Sequence, residues 1–186
     1  MAFYSKFNQL PDGVWLSGYF ESDQYFKDYA DIIRREITLK EDFPIDSAIA
    51  SSESFFVHVR RGDYLLTQYK NFHSLCPLDY YKRAIALMRE QVANPKFFIF
   101  SDDIIWTKAN LDVADAVYVS GTGLKDYQEL ITMSRCQHAI IADSTFSWWG
   151  AWLIKNPNKV VIAPQRWFVA DKDNRPELTP PGWIRL

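Results

Sequence analysis

Arg60, Arg61, Gly62 and Asp63 follow one another directly after the apolar run Phe55-Phe56-Val57-His58-Val59. Guanidinium groups carry forked donors that match phosphate and carboxylate oxygens, so an adjacent pair points to an anion. Gly62 allows the backbone to turn or to approach a ligand closely. Asp63 can hold an arginine in position or accept hydrogen bonds from a sugar or base. The same four residues also suit a surface turn with an internal ion pair, but charged ends of buried strands are favoured site positions. His58 lies two residues before Arg60 on the same side of the pleat, which leaves it either a structural hydrogen-bonding group or a member of the site. His73 and His138 have no such company and read as structural.

Two further polar clusters end apolar runs. Ser101, Asp102 and Asp103 follow Lys96–Phe100, and Asp143, Ser144 and Thr145, with Ser147 behind, follow Ala139–Ala142. The hydroxyls of the second cluster suit a helix start, whose free amides attract anions. A plain N-cap is the competing reading, and a cap that faces two arginines favours a diphosphate. Asp102 and Asp103 suit a base, a ribose or a metal ion, and Asp103 equally suits a helix cap. No Gly-rich GKS/T run is present, and Gly121-Thr122-Gly123 lacks the third glycine of a dinucleotide fingerprint, so it reads as a turn. No His and carboxylate pair has metal-ligand spacing. Two arginines and a helix N-terminus already supply positive charge for a leaving diphosphate, so a metal is not required. Trp148, Trp149 and Trp152 are first of all core residues at helical spacing, with a sugar-facing ring as the secondary reading.

The elements that must position these residues can be read in order. Trp15–Ser22 has strand character, and Ser22 or Asp23 can cap a helix over Gln24–Glu36. Residues 47–54 read as a linker and Leu65–Leu75 as an irregular loop. A helix runs from Pro77 to about Val92, and a buried strand over Lys96–Ser101. A short helix around Ile104–Leu111 precedes a strand at Ala116–Val119. A helix over Leu124–Arg135, a strand at Ala139–Ala142, a helix over Phe146–Ile154 and a strand at Lys159–Ala163 complete the alternation. Strand–helix alternation predicts an α/β fold, a Rossmann-like parallel sheet with helices on both faces. In such a sheet the three polar clusters lie along one edge.

The totals set limits. A chain of 186 residues, 48% hydrophobic and 24% charged, suits one globular domain. Aromatic residues at 16%, with seven Trp, suit both a thick core and a cleft that stacks rings or sugar faces. A formal charge of −2 gives no support for nucleic acid or an anionic membrane surface as partner. Cys76 and Cys136 form no CxxC pattern and read as free thiols of a reducing compartment, with a single bridge as the alternative. The N-terminus lacks an apolar signal region, and no run reaches the roughly 18 apolar residues of a membrane span. The expectation is a cytoplasmic protein, bacterial or viral, at most peripheral to a membrane.

The motif His58-Val-Arg-Arg-Gly-Asp-Tyr64 resembles the first signature of the α-1,2-fucosyltransferases. The resemblance extends to Gly18-Tyr19-Phe20-Glu21-Ser22, to FFIFSDD followed by Trp106 and Asn110-Leu111, and to Asp126–Cys136 (DYQELITMSRC). It continues through STFSWWGAWL, VIAP and Trp167, and covers most of residues 15–168. It implies an inverting GT-B-like glycosyltransferase that uses GDP-fucose as donor, needs no metal or other cofactor, and fucosylates a galactose-type hydroxyl of a glycan. The catalytic residues it implies are Arg60 and Arg61 on the diphosphate, with His58 and Asp63 shaping that part of the site. Asp102 and Glu129 are implied in nucleotide recognition, and Ser144, Thr145, Phe146 and Ser147 in meeting the phosphates. The general base stays open between His58, Asp63 and a residue outside the chain. Family members usually read Asn-Ser where this chain has Asp143-Ser144, and a negative charge beside a diphosphate weakens binding unless it pairs with an arginine. Full-length members also carry about another domain before the GYF stretch. Residues 1–46 are therefore expected to be a helical lead-in left from an N-terminal half, and residues 47–186 a donor-binding domain with a complete C-terminus. A GDP- or GDP-fucose-binding module fits these features too, alone, as a homo-oligomer or with a partner chain that supplies the acceptor half. So does a different nucleotide-dependent transferase that shares only the strand-end arginines.

Overall fold

The run at 54–59 forms the central strand of the computed structural model, which describes residues 3–69 and 71–186. This strand, β1 (Ser54–Val59), is buried along its whole length. Strands β2 (Lys96–Ser101), β3 (Val117–Tyr118), β4 (His138–Ile140), β5 (Val161–Ala163) and β6 (Ile184–Arg185) join it in one sheet. Their order is β3-β2-β1-β4-β5-β6, and every pairing is parallel. Strand order therefore reverses between β1 and β4. In doubly wound sheets a ligand crevice opens beyond the carboxyl ends of the strands at such a reversal. The chain thus has the α/β, Rossmann-like architecture expected from the alternation of its elements.

The two-residue period of the strands sorts the core into two layers. Phe56, Phe98 and Phe100 face one layer, where Met133 of α5 (Asp126–Arg135) and Trp148 and Trp152 of α6 (Thr145–Leu153) pack. Phe55, Val57, Val59, Phe97 and Ile99 face the other, against Tyr80, Tyr81, Ala84, Ile85 and Met88 of α3 (Leu78–Gln91). The short helix α4 (Ile104–Asn110) follows β2, capped by Asp103, whose carboxylate accepts the Trp106 N–H at 3.2 Å.

The N-terminal region differs from expectation. Trp15–Ser22 pairs with no strand; Trp15 and Tyr19 are each 93% exposed, and Phe20 adopts a left-handed φ of 50° that interrupts an extended run. The helix expected over Gln24–Glu36 is broken into two 3-10 turns, Asp23–Tyr25 and Lys27–Tyr29, before α1 (Ala30–Glu36). The break lies at Phe26, whose φ and ψ of −142° and 9° leave the helical region. Its ring stacks on Trp149 at 5.3 Å and meets Trp152 edge-on at 5.4 Å, so tertiary packing overrides local helix propensity. Phe26, Ala30, Ile33 and Ile45 all pack on the α6 side of the sheet. The stretch read as a linker contains helix α2 (Ser47–Ser51), capped by Asp46 and anchored by buried Ile49. The segment after β1 holds a 3-10 turn at Asp63–Leu65 and an antiparallel bridge from His73 to Phe168.

Both cysteines are free, Cys76 half-buried and Cys136 buried. Among the described residues no helix is long and apolar enough to cross a membrane.

Candidate functional site

Beyond the carboxyl ends of β1, β2 and β4 lies a cleft of about 640 Å³, at the reversal of strand order. The residues after β1 are its most organised part. The Arg60 guanidinium donates from Nη2 to Asp63 Oδ1 at 2.7 Å, and its Nη1 lies 3.2 Å from Asp102 Oδ2. The backbone N–H of Arg61 donates to the other Asp102 oxygen at 2.9 Å. Asp102 thus ties the end of β2 to the turn after β1, and that turn passes very close to it. A Cβ on Gly62 would lie 2.6 Å from Asp102 Oδ2, so only glycine fits without moving a carboxylate that two donors hold. The variant Gly62→Ala is expected to lose roughly 1–3 kcal/mol through this overpacking, measured by chemical denaturation.

Arg60 and Arg61 part company. Strand parity sends consecutive side chains to opposite faces. Arg60 lines the cleft together with His58. The Arg61 guanidinium instead lies 3.3 Å over the Trp106 ring, with Nε 3.3 Å from Asp103 Oδ2, and it is not among the cleft-lining residues. Asp103 accordingly caps α4 and pairs with Arg61.

His58 is 3% exposed and sits against the Phe146 ring. Burial, helped by the Arg60 charge, pushes its pKa down to about 3, so the imidazole is neutral near pH 7. Among the described residues its Nδ1 has no partner.

The end of β4 supplies the opposite wall. Asp143 is 1% exposed, yet it lines the cleft. Its Oδ1 accepts from the Cys76 thiol at 3.3 Å, its carbonyl oxygen accepts from Tyr64 Oη at 2.9 Å, and its Oδ2 has no partner among the described residues. Burial pushes the carboxyl up to about 7, against the lowering effect of the Cys76 hydrogen bond and Arg60. Ser144 is the N-cap of α6 but makes no side-chain cap bond, and Ser144, Thr145 and Phe146 all line the cleft. The free amides of that first turn carry the partial positive charge of a helix N-terminus. Ser147 does not line the cleft; its buried hydroxyl donates to the Ser144 carbonyl at 3.1 Å and accepts the Ala142 N–H at 3.3 Å, bracing the turn.

Acceptors gather at the α5 end. The Ser120 hydroxyl donates to Glu129 Oε2 at 2.9 Å and accepts the Ser101 N–H at 2.9 Å, a relay from β2 to α5. Burial raises the Glu129 pKa, and Asp126 beside it adds to the effect. Both carboxylates line the cleft. Donors at the β1/β4 end and acceptors at the α5 end suit a ligand with an anionic part and a part rich in N–H or O–H groups.

Of the site residues read from sequence, the structure brings together His58, Arg60, Asp63, Asp102, Glu129, Ser144, Thr145 and Phe146, and leaves Arg61 and Ser147 outside. It places Asp143 of the third polar cluster in the lining as well, and adds Tyr64, His73, Ser120, Asp126, Trp167 and Phe168. The Tyr64 and His73 rings stack at 4.1 Å, and His73 reaches the cleft through the bridge to Phe168. Among the described residues no group of three His, Cys, Asp or Glu side chains is placed to hold a metal ion.

Buried polar atoms are nearly always partnered in a folded protein. Seven buried side-chain polar atoms lack a partner among the described residues, and five belong to this cleft: His58 Nδ1, Arg60 Nε, His73 Nδ1, Asp143 Oδ2 and Trp167 Nε1. Their concentration gives the cleft unused hydrogen-bonding capacity for water or a polar ligand.

Residues 2–186 match the family described as glycosyl transferase family 11. The chain is 31% identical over 192 residues to the O-antigen biosynthesis glycosyltransferase WbnK of Escherichia coli, covering 96% of this chain and 62% of that protein. It is 32% identical over 188 residues to an α-1,2-colitosyltransferase of Escherichia coli, covering 95% and 64%. The human galactoside α-(1,2)-fucosyltransferase 1 is 27% identical over 154 residues, covering 74% and 42%. The chain thus spans under two thirds of the length of these relatives.

Proposed function

The chain belongs to glycosyl transferase family 11, and from that premise we propose that it binds GDP-fucose and transfers the sugar, with inversion, to a galactose-type hydroxyl of a glycan in α-1,2 linkage. The observation that carries this reading is the gathering of unpartnered buried polar atoms around Arg60 in one cleft at the strand reversal. Relatives named for α-1,2-fucosyl and α-1,2-colitosyl transfer support the linkage and a deoxy-sugar donor.

In this mechanism the acceptor hydroxyl displaces GDP directly at fucose C1. The diphosphate lies between Arg60 and the first turn of α6, where the guanidinium and the free amides take up the charge that grows on the leaving oxygens. That positive charge is why we propose a reaction that needs no metal. Glu129 and Asp126 accept hydrogen bonds from the nucleoside, and Asp102 fixes Arg60. His58, held neutral by burial, orients the site. Residues 47–186 form the donor-binding unit in this reading. A second reading is a donor-binding unit that transfers sugar only with a partner chain or a second copy. The free thiols of Cys76 and Cys136 favour a reducing, cytosolic setting.

Calorimetric titration with GDP and GDP-fucose, with and without chelator, tests the proposal, followed by an assay for GDP-fucose hydrolysis in the same sample. Binding unaffected by chelator, with slow hydrolysis, is the expected result. Binding without turnover, even with a galactoside acceptor, favours the second reading. Failure to bind any guanine nucleotide sinks both.

A further inference from the structure

We infer that Asp143 meets the donor as a neutral carboxylic acid that donates a hydrogen bond from Oδ2 to a diphosphate oxygen, so that donor binding takes up a proton. The inference rests on the reading of the cleft as a sugar-diphosphate site. Asp143 is 1% exposed and lines the cleft just before the N-cap of α6. Its Oδ1 is held by the Cys76 thiol at 3.3 Å, whereas Oδ2 is buried with no partner among the described residues. An ionised Oδ2 here would lack any donor and would face an anion bound at the helix amides. A protonated Oδ2 turns the same atom into a donor, and an O–H to a charged oxygen is among the stronger hydrogen bonds.

The surroundings leave the proton to Asp143. From β1 and the turn after it come His58, Arg60, Asp63 and Tyr64. From the segment preceding α3 come His73 and Cys76, and from α3 itself Tyr80 and Tyr81. Burial is the main cause that raises the pKa values of Tyr64, Cys76, Tyr80 and Tyr81, so all four are neutral near pH 7. Burial lowers both histidines, His58 to about 3. Arg60 is the one cation of this set, and Asp63 and Asp102 already engage it at 2.7 Å and 3.2 Å. Burial pushes the Asp143 carboxyl itself up to about 7. The sign follows: the protonated form binds the donor, so affinity is full below pH 7 and is lost as pH rises above it.

The test is calorimetry with GDP-fucose at pH 8 in two buffers of different ionisation enthalpy, together with Kd from pH 6.5 to 8.5. The sugar-linked diphosphate avoids the terminal phosphate of GDP, which titrates at about pH 6. Uptake approaching one proton per site is expected at pH 8, with binding roughly twentyfold weaker at pH 8.5 than at 6.5. Asp143→Asn keeps the oxygen that accepts from Cys76 and places an N–H donor at the Oδ2 position without needing a proton. It is expected to bind without proton uptake, to lose the pH dependence, and to bind more tightly than the parent chain at pH 8.5. Flat affinity and no uptake in the parent chain overturn the inference while leaving the donor site standing. Uptake that persists in Asp143→Asn assigns the proton elsewhere and also overturns it. Absence of GDP-fucose binding at every pH removes the donor reading itself, and this inference with it. The buffer comparison on the parent chain decides the matter even where the variant misfolds, which circular dichroism reports.

Discussion

Arg60→Ala is expected to weaken GDP-fucose binding and slow its turnover by about 100-fold or more, which is roughly 3 kcal/mol. Two effects act in the same direction. The variant removes the one guanidinium that lines the cleft among the described residues, together with its unpartnered buried Nε. It also leaves Asp63 and Asp102, which Arg60 holds at 2.7 Å and 3.2 Å, as bare carboxylates facing an arriving anion. Arg61→Ala is the informative comparison. Its guanidinium packs on Trp106 and pairs with Asp103 outside the cleft, so its loss should loosen the turn and cost only about tenfold in binding. Titration of both variants, with circular dichroism to monitor folding, separates the roles. Affinity within threefold of the parent for Arg60→Ala, or equal losses for both, would refute the assignment.

Phe56→Ala is expected to cost the fold about 3–5 kcal/mol, a large part of the stability of a domain this size. The residue lies on the central strand, is fully buried, and meets the Phe100 ring edge-on at 6.3 Å. It also supports the close approach of α6: an ideal Cβ on Gly150 would already lie 3.4 Å from Phe56 Cζ and 3.1 Å from Met133 Cβ. The helix cannot sink into the space left by the ring without driving its backbone into Met133, so a cavity remains. Urea denaturation measures the loss, and a change under 1 kcal/mol would show that the layer relaxes freely.

The centre of the fold is more legible in the sequence than its edges. The runs at 54–59 and 96–101 announce buried parallel strands because they are apolar on both faces and stop at charge. Alternation of elements then places their polar ends on one side of the sheet. Pleat parity links His58 to Arg60, and the same parity carried one residue further separates Arg61 from the cleft. Trp15–Ser22 has the composition of a strand but no edge to pair with, which composition cannot reveal. The helix expected over Gln24–Glu36 breaks where the Phe26 ring reaches Trp149, a contact between segments far apart in the chain. Distance in the chain hides Trp167, Phe168 and His73 in the same way, since the bridge between His73 and Phe168 brings them together. Asp143 stood out as a charge in the wrong place; only its burial and its lone Oδ2 show what kind of group it is.

The carboxylates that hold the two arginines have a kinetic consequence. Asp63, Asp102 and Asp103 sit 2.7–3.3 Å from Arg60 and Arg61, so two positive charges are already offset by three negative ones, on a chain of formal charge −2. Within the cleft Arg60 is already offset by Asp63 and Asp102, and beyond a screening length of about 8 Å what charge remains is largely damped. A nucleotide sugar arriving there meets it by unguided diffusion and engages Arg60 by trading places with a carboxylate the protein already owns. The cleft therefore works as an exchange seat more than as an electrostatic funnel, and discrimination among anions falls to the fit made after contact.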